Sequence, residues 1–155
     1  MDSAFEITHA TPSDASALLR MIAELYAGEA IVFRAVAMDD ALQRLLSEPA
    51  LGLVLIARAR ASSEVVGYGV ATLGYDVEFA GHDAFITDLY VDPPVRTRGI
   101  GRALLDAMVK ALADRDIKAA HLMVRPENDR ARALYEERGF KAVPRVLMTK
   151  VLSSS

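Results

Sequence analysis

Arg96, Arg98 and Arg102 surround Gly99 and Gly101 in a 155-residue chain whose formal net charge is −3. Positive charge concentrated inside an acidic chain calls for an anion, and glycines let the backbone approach a ligand closely. Ile100, Leu104, Leu105, Met108 and Leu112 recur at helical spacing, so a helix is expected to begin at this point. Its first N–H groups and the positive end of its dipole would add to the arginines, a combination that suits a diphosphate. Two other glycine motifs fail on context. The dinucleotide fingerprint needs a strand running into its first Gly and a third Gly or Ala three residues after the second, but Pro93 and Pro94 intervene and Leu104 holds that place. A phosphate loop would need Gly-Lys-Ser/Thr, which is missing. The bland alternative makes the glycines a helix entry and the arginines a solvated face.

The spacing Arg96-x-x-Gly99-x-Gly101 resembles the acyl-CoA signature of the GNAT superfamily of acetyltransferases, Gln/Arg-x-x-Gly-x-Gly/Ala. Leu89-Tyr90-Val91-Asp92-Pro93 looks like the strand end that precedes this loop in the family. Asn128, Ala131, Leu134-Tyr135 and Gly139-Phe140 resemble its second signature in order and distance. The resemblance is specific over residues 85–140 and rests on element order before that. It implies acetyl-CoA as acyl donor, with the pyrophosphate held by Arg96, Thr97, Arg98, Gly99, Ile100, Gly101 and Arg102. It also implies a bulged strand at Leu89, Tyr90 and Val91 whose free N–H bonds the thioester carbonyl, Asn128 on the pantetheine arm, and Tyr135 donating to the cofactor sulfur. Tyr135 also fits a core aromatic role beside Ala131 and Leu134, and Asn128 also fits a helix cap. Relatives often pair as dimers, and the apolar residues 143–151 offer an edge for a homodimer.

Acetyl transfer to an amine needs a neutral nitrogen, yet an alkylamine of pKa about 10.4 is neutral only about once in a few thousand molecules at pH 7. Asp88 is the first choice for a base, beside Thr87 and one residue before the acyl-binding strand end. Strand alternation sets Asp88 opposite Leu89 and Val91, and apolar neighbours such as Ile86 would raise its pKa. Alternatively it bonds only backbone or solvent. His121 and Glu78 are reserves. Glu24, Glu29, Asp76, Glu78, Asp83 and Asp88 favour a cationic acceptor, unless they are solvated loop charges.

The remaining pattern supplies the scaffold. Phe5 and Ile7 open a strand, Thr11 and Pro12 start a helix carrying Leu18, Leu19, Ile22, Leu25 and Tyr26, and Gly28 stops it. Residues 29–38 lack periodicity and read as a substrate loop, followed by a shorter helix with Leu42, Leu45 and Leu46. Residues 51–58 and 65–72 form a hairpin, residues 85–91 a third strand, 120–124 a fourth, and 146–151 a last one, with a short helix around Leu134. The expected fold is α/β of α+β type: one mixed, mostly antiparallel sheet of six to seven strands with helices on both faces, as residues 1–151 in a single domain and 152–155 as a flexible tail.

Hydrophobic residues make up 52% and charged residues 25% of the chain, an ordinary globular balance. There is no cysteine, and His9, His82 and His121 do not cluster, so neither a thiolate nor a metal site is expected. The negative charge argues against nucleic acid, and no apolar run spans a bilayer, so a cytoplasmic location and no membrane partner are expected. The reading is an N-acetyltransferase moving acetyl from acetyl-CoA to a primary amine of a small molecule, directly in a ternary complex. The alternatives are a silent acyl-CoA sensor or regulatory module, and an acetyltransferase of protein N-terminal amines.

Overall fold

A computed structural model describes residues 3–153. The chain divides into two compact units, one ending at Met123 and the other starting at Val124.

The first unit is built on a sheet of five strands in chain order: β1 (Phe5–His9), β2 (Gly52–Ala59), β3 (Val65–Asp76), β4 (Gly81–Val91) and β5 (Ala119–Leu122). The first four pair antiparallel and β5 joins β4 in parallel. Alternation sorts the side chains. Val54, Ile56, Tyr68 and Val70 turn to one face, where α1 (Ala15–Gly28) and α2 (Ala35–Ser47) bury Leu18, Met21, Ile22 and Leu42. Gly67 and Gly69 turn to the other, where α3 (Ile100–Asp114) needs the room: an added Cβ would stand 3.3 Å from Leu104 at Gly67 and 3.3 Å from Met108 at Gly69. Ile100, Leu104, Leu105, Met108 and Leu112 are all buried there, as their spacing predicts.

Thr11 caps the entry to α1 through a short 3₁₀ turn, its N–H donating to Asp14 Oδ2 at 2.8 Å. Asp14 in turn receives Arg58 Nη2 at 2.8 Å, tying α1 to β2. Helix α2 begins at Ala35, so the expected loop over 29–38 is shorter than its lack of periodicity suggested; Val36 is exposed and gave no stripe to read. Strand β5 also stops earlier, at Leu122.

The second unit contains α4 (Asp129–Glu137), ended by Gly139 at φ +89°, the left-handed value that favours glycine after a helix. The expected strand over residues 146–151 does not form. Val146, Leu147, Met148 and Val151 are exposed, and the residues have no ladder partner, which an apolar run needs to become a strand. The described residues therefore hold five strands and not six or seven. Ser154 and Ser155 of the expected tail lie outside the described residues.

Candidate active site

Strands β4 and β5 part company at the point where the acyl-binding strand end was expected. Their pairing runs from Asp83↔Ala119 to Ile86↔Leu122 and stops, while β4 stays paired with β3 as far as Gly67↔Val91. The edge of residues 87–91 that faces away from β3 has no strand partner among the described residues. The N–H of Asp92 donates to Val66 O at 2.8 Å. By the alternation of an antiparallel ladder, Tyr90 also points its N–H at β3, and Leu89 and Val91 point theirs into the open edge. The bulge implied at Leu89, Tyr90 and Val91 lies earlier. Asp88 opposes Val70 and Ile86 opposes Ala71, so Thr87 is the extra residue.

The chain next turns through Pro93–Val95 into the arginine and glycine loop. Arg96 folds back, its Nε donating to Val91 O at 2.8 Å and its guanidinium lying 5.5 Å from the centre of the Tyr90 ring. Arg98 stands over Phe5 at 4.7 Å. Thr97 has φ +72° and Gly99 φ +81°. Left-handed backbone is natural for Gly99 and strained for a β-branched threonine, a strain of the order of 1–3 kcal/mol of the kind that gathers at binding loops. Gly99 is the residue before the first turn of α3, and no side chain caps that turn. Ile100 and Gly101 thus present helix-start N–H groups beside the exposed Arg96, Arg98 and Arg102. At Gly101 an added Cβ would meet Val91 at 3.8 Å, which keeps the helix start close against the open strand end. A diphosphate with an extended arm fits this run of donors from helix start to strand edge.

On the α1/α2 face lies a second set of groups. Asp88 is 7% exposed and accepts the Tyr68 hydroxyl at 2.8 Å, and the hydroxyls of Thr87 and Tyr26 also act on its carboxyl. Burial pushes its carboxyl up, against the three hydroxyls that favour the charged form. The neighbours are therefore polar, and Ile86, expected beside it, pairs with Ala71 on the α3 face. Burial raises the Tyr26 and Tyr68 hydroxyls too, with the charge of Asp88 next in effect. Two residues on, the Tyr90 hydroxyl donates to Glu24 on α1; burial first, then Glu24, pushes it up to about 12. Arg20 joins Asp92 at 3.0 Å and Glu24 at 3.4 Å along the same side of α1.

Of the reserve bases, Glu78 is an exposed residue of the β3–β4 turn. His121 is more elaborately held: its Nε2 lies 3.0 Å from Asp83 Oδ2, and its ring lies 4.9 Å from Phe85 and 5.4 Å from Phe79. Tyr26, Tyr68, Phe79 and Phe85 were not singled out from sequence; Tyr26 was read only as part of an apolar stripe, and Asp83 only as one of several acids.

In the second unit, Asn128 caps α4, its Oδ1 accepting the Ala131 N–H at 3.1 Å. Tyr135 is half-buried with its ring edge-on to Phe140 at 6.1 Å, and burial raises its hydroxyl above the usual tyrosine value.

The profile of the Acetyltransferase (GNAT) family matches residues 19–140, and the chain belongs to that family. It is 34% identical over 113 residues to acetyltransferase ECA0875 of Pectobacterium atrosepticum, covering 73% of each chain. It is 45% identical over 64 residues to the mycothiol acetyltransferase of Beutenbergia cavernae, a match that takes in 39% of this chain and spans only 22% of that relative. Among solved structures, integron cassette protein HFX_CASS3 from the mobile metagenome of Cole Harbour Salt Marsh aligns with a TM-score of 0.82 at 27% identity, over 96% of this chain and 91% of the other.

Proposed function

We propose that this acetyltransferase moves the acetyl group of acetyl-CoA to a primary amine of a small molecule, by direct attack in a ternary complex. The observation that carries the reading is the open β4 edge at Leu89 and Val91 abutting the uncapped start of α3. In this reading Arg96, Thr97, Arg98, Gly99, Ile100, Gly101 and Arg102 bind the pyrophosphate, and Leu89, Tyr90 and Val91 line the acyl arm. One N–H of the open edge, that of Leu89 or Val91, stabilises the oxyanion that forms on the thioester carbonyl. Asp88 takes the ammonium proton, with exposed Thr87 as the hydroxyl that links it to the surface; its raised pKa makes it a better base than an ordinary carboxylate. Tyr135 gives its proton to the leaving thiolate, and Asn128, whose Oδ1 is taken by the cap, bonds the pantetheine arm through its amide N–H. The likeness to a mycothiol acetyltransferase, over 22% of that relative, is in keeping with a small-molecule acceptor.

Release of CoA thiol from acetyl-CoA is to be followed across monoamines, diamines, aminoglycosides, amino acids and peptides with free N-termini. Turnover with a small amine is expected. Turnover confined to peptides would move the acceptor to protein N-termini, and tight CoA binding with silence across the panel would replace the enzyme with a sensor.

A further inference from the structure

Helix α1 engages the end of β4 at three alternate positions. Arg20 holds Asp92 with both arms of its guanidinium, Nη1 donating to Oδ1 at 3.1 Å and Nη2 to Oδ2 at 3.0 Å. Glu24 accepts the Tyr90 hydroxyl, and the Tyr26 hydroxyl acts on the carboxyl of Asp88. Arg20 and Glu24 lie one helical turn apart and bond each other at 3.4 Å, which joins the first two contacts into one unit. Arg20 Nη2 also reaches Val65 O at 3.4 Å, at the start of β3.

The end of β4 needs such a hold. Strand β5 leaves it after Ile86, the ladder to β3 is interrupted at Thr87, and the residues opposite Leu89 and Val91 are Gly69 and Gly67. A glycine offers no side chain for a cross-strand pair, so β3 gives its weakest support where the N–H groups face the open edge. Helix α1 holds the residues between. Leu89 lies between Asp88 and Tyr90, and Val91 between Tyr90 and Asp92, so each open-edge residue is flanked by two that α1 engages. The Arg20–Asp92 pair is half-exposed on its arginine side, and an ion pair of that kind contributes little to folding. Two bonds from a planar guanidinium do fix direction.

We infer that Arg20 and Glu24 are positioning residues for acetyl transfer: through Asp92 and the Tyr90 hydroxyl they hold the open end of β4 so that its N–H groups aim at the acyl carbonyl. This rests on the reading of that edge as the acyl site, and it names the residues that keep the edge in place.

Infrared difference spectra of bound acetyl-CoA, isotope-labelled at the thioester carbonyl carbon, read the aim of these N–H groups without turnover. In the wild type the carbonyl stretch is expected below its frequency in free acetyl-CoA. Arg20→Met keeps the stem and Tyr90→Phe keeps the ring, and each should return the stretch at least halfway to the free value. Arg20→Lys, which keeps the charge but cannot make both bonds, should recover only part of the lowering. CoA affinity should stay within about twofold and the melting temperature close to that of the wild type, because the pair is a weak stabiliser. In steady state kcat should fall about tenfold with KM for acetyl-CoA little changed. A lowered stretch that both Arg20→Met and Tyr90→Phe retain overturns the positioning role and leaves the acyl site in place. An unshifted stretch in the wild type overturns the acyl site and the positioning role with it. A lowering lost in the variants, with no amine acetylated by the wild type, leaves the positioning role standing and removes the enzyme reading alone.

Discussion

The Tyr68 hydroxyl donates to Asp88 Oδ2 at 2.8 Å, joining the third and fourth strands through a buried polar contact. Burial raises the Asp88 carboxyl while the hydroxyls hold it back, so removing one hydroxyl moves it further up. A base with a raised pKa loses its function as pH falls through that value. Tyr68→Phe should therefore shift the acidic limb of the kcat/KM profile to higher pH, and Asp88→Asn should abolish the limb along with most of the rate. A Tyr68→Phe profile superposing on that of the wild type would remove Asp88 from proton transfer.

The same carboxylate should cost stability. A folded-state pKa above the unfolded one contributes stability below the unfolded pKa and loses it as pH rises through the folded pKa, so Asp88 favours the fold less at pH 7 than at low pH. Asp88→Asn keeps an acceptor for the hydroxyls without the charge. Thermal unfolding at pH 7 should show the variant melting a few degrees higher than the wild type, the gain shrinking toward pH 4. A lower melting temperature at pH 7 would mean that the hydroxyl bonds outweigh burial.

The loop before α3 was legible because everything it needs is local: Gly99 and Gly101, three arginines and the helical stripe fall within 17 residues, Arg96 to Leu112. The surroundings of Asp88 were not. Tyr26, Tyr68 and Asp88 come from a helix and two strands, and only the sheet register and the docking of α1 bring them together. Alternation did place Asp88 opposite Leu89, but its neighbours depend on which residue bulges, and Thr87 carries no sequence mark of a bulge. Residues 146–151 show the converse difficulty, since an apolar run states a preference for a strand without saying whether an edge will receive it.

Gly99 is the residue on which the arginine and glycine loop turns into α3. At φ +81° a β-branched side chain costs about 1–2 kcal/mol, so Gly99→Val should lower unfolding stability by at least that amount. It should also weaken CoA binding tenfold or more in calorimetry, because the N–H groups of Ile100 and Gly101 would be re-aimed. Thr97→Gly relieves strain at φ +72° and should leave stability unchanged or raised; a loss would argue that the Thr97 side chain bonds the ligand or loop.

Tyr135→Phe keeps the ring and its edge contact with Phe140 and removes only the hydroxyl. If that hydroxyl protonates the departing thiolate, single-turnover acetyl transfer should slow about 10²-fold with CoA affinity nearly unchanged. Wild-type turnover would return Tyr135 to a packing role. Asn128→Ala, by contrast, loses the cap on Ala131 N–H and should cost about 1 kcal/mol of stability in addition to any loss in CoA affinity.

Asp14 tests the scaffold without touching the site. Burial raises its carboxyl, but the Thr11 N–H and the Arg58 guanidinium outweigh burial and hold it below the usual carboxylate value. A depressed folded pKa means stability that is present above the unfolded value and lost as pH falls through the folded one, so the contribution should fade below about pH 4. Arg58→Ala leaves a buried carboxylate with only its Thr11 donors and should destabilise by about 3 kcal/mol at pH 7. As the pH is lowered through 4 toward 2, Asp14 becomes neutral in both proteins and the gap between their urea midpoints should narrow. A gap independent of pH would mean that Arg58 stabilises by packing its stem and by its bond to Ser63 O, and not through the charge of Asp14.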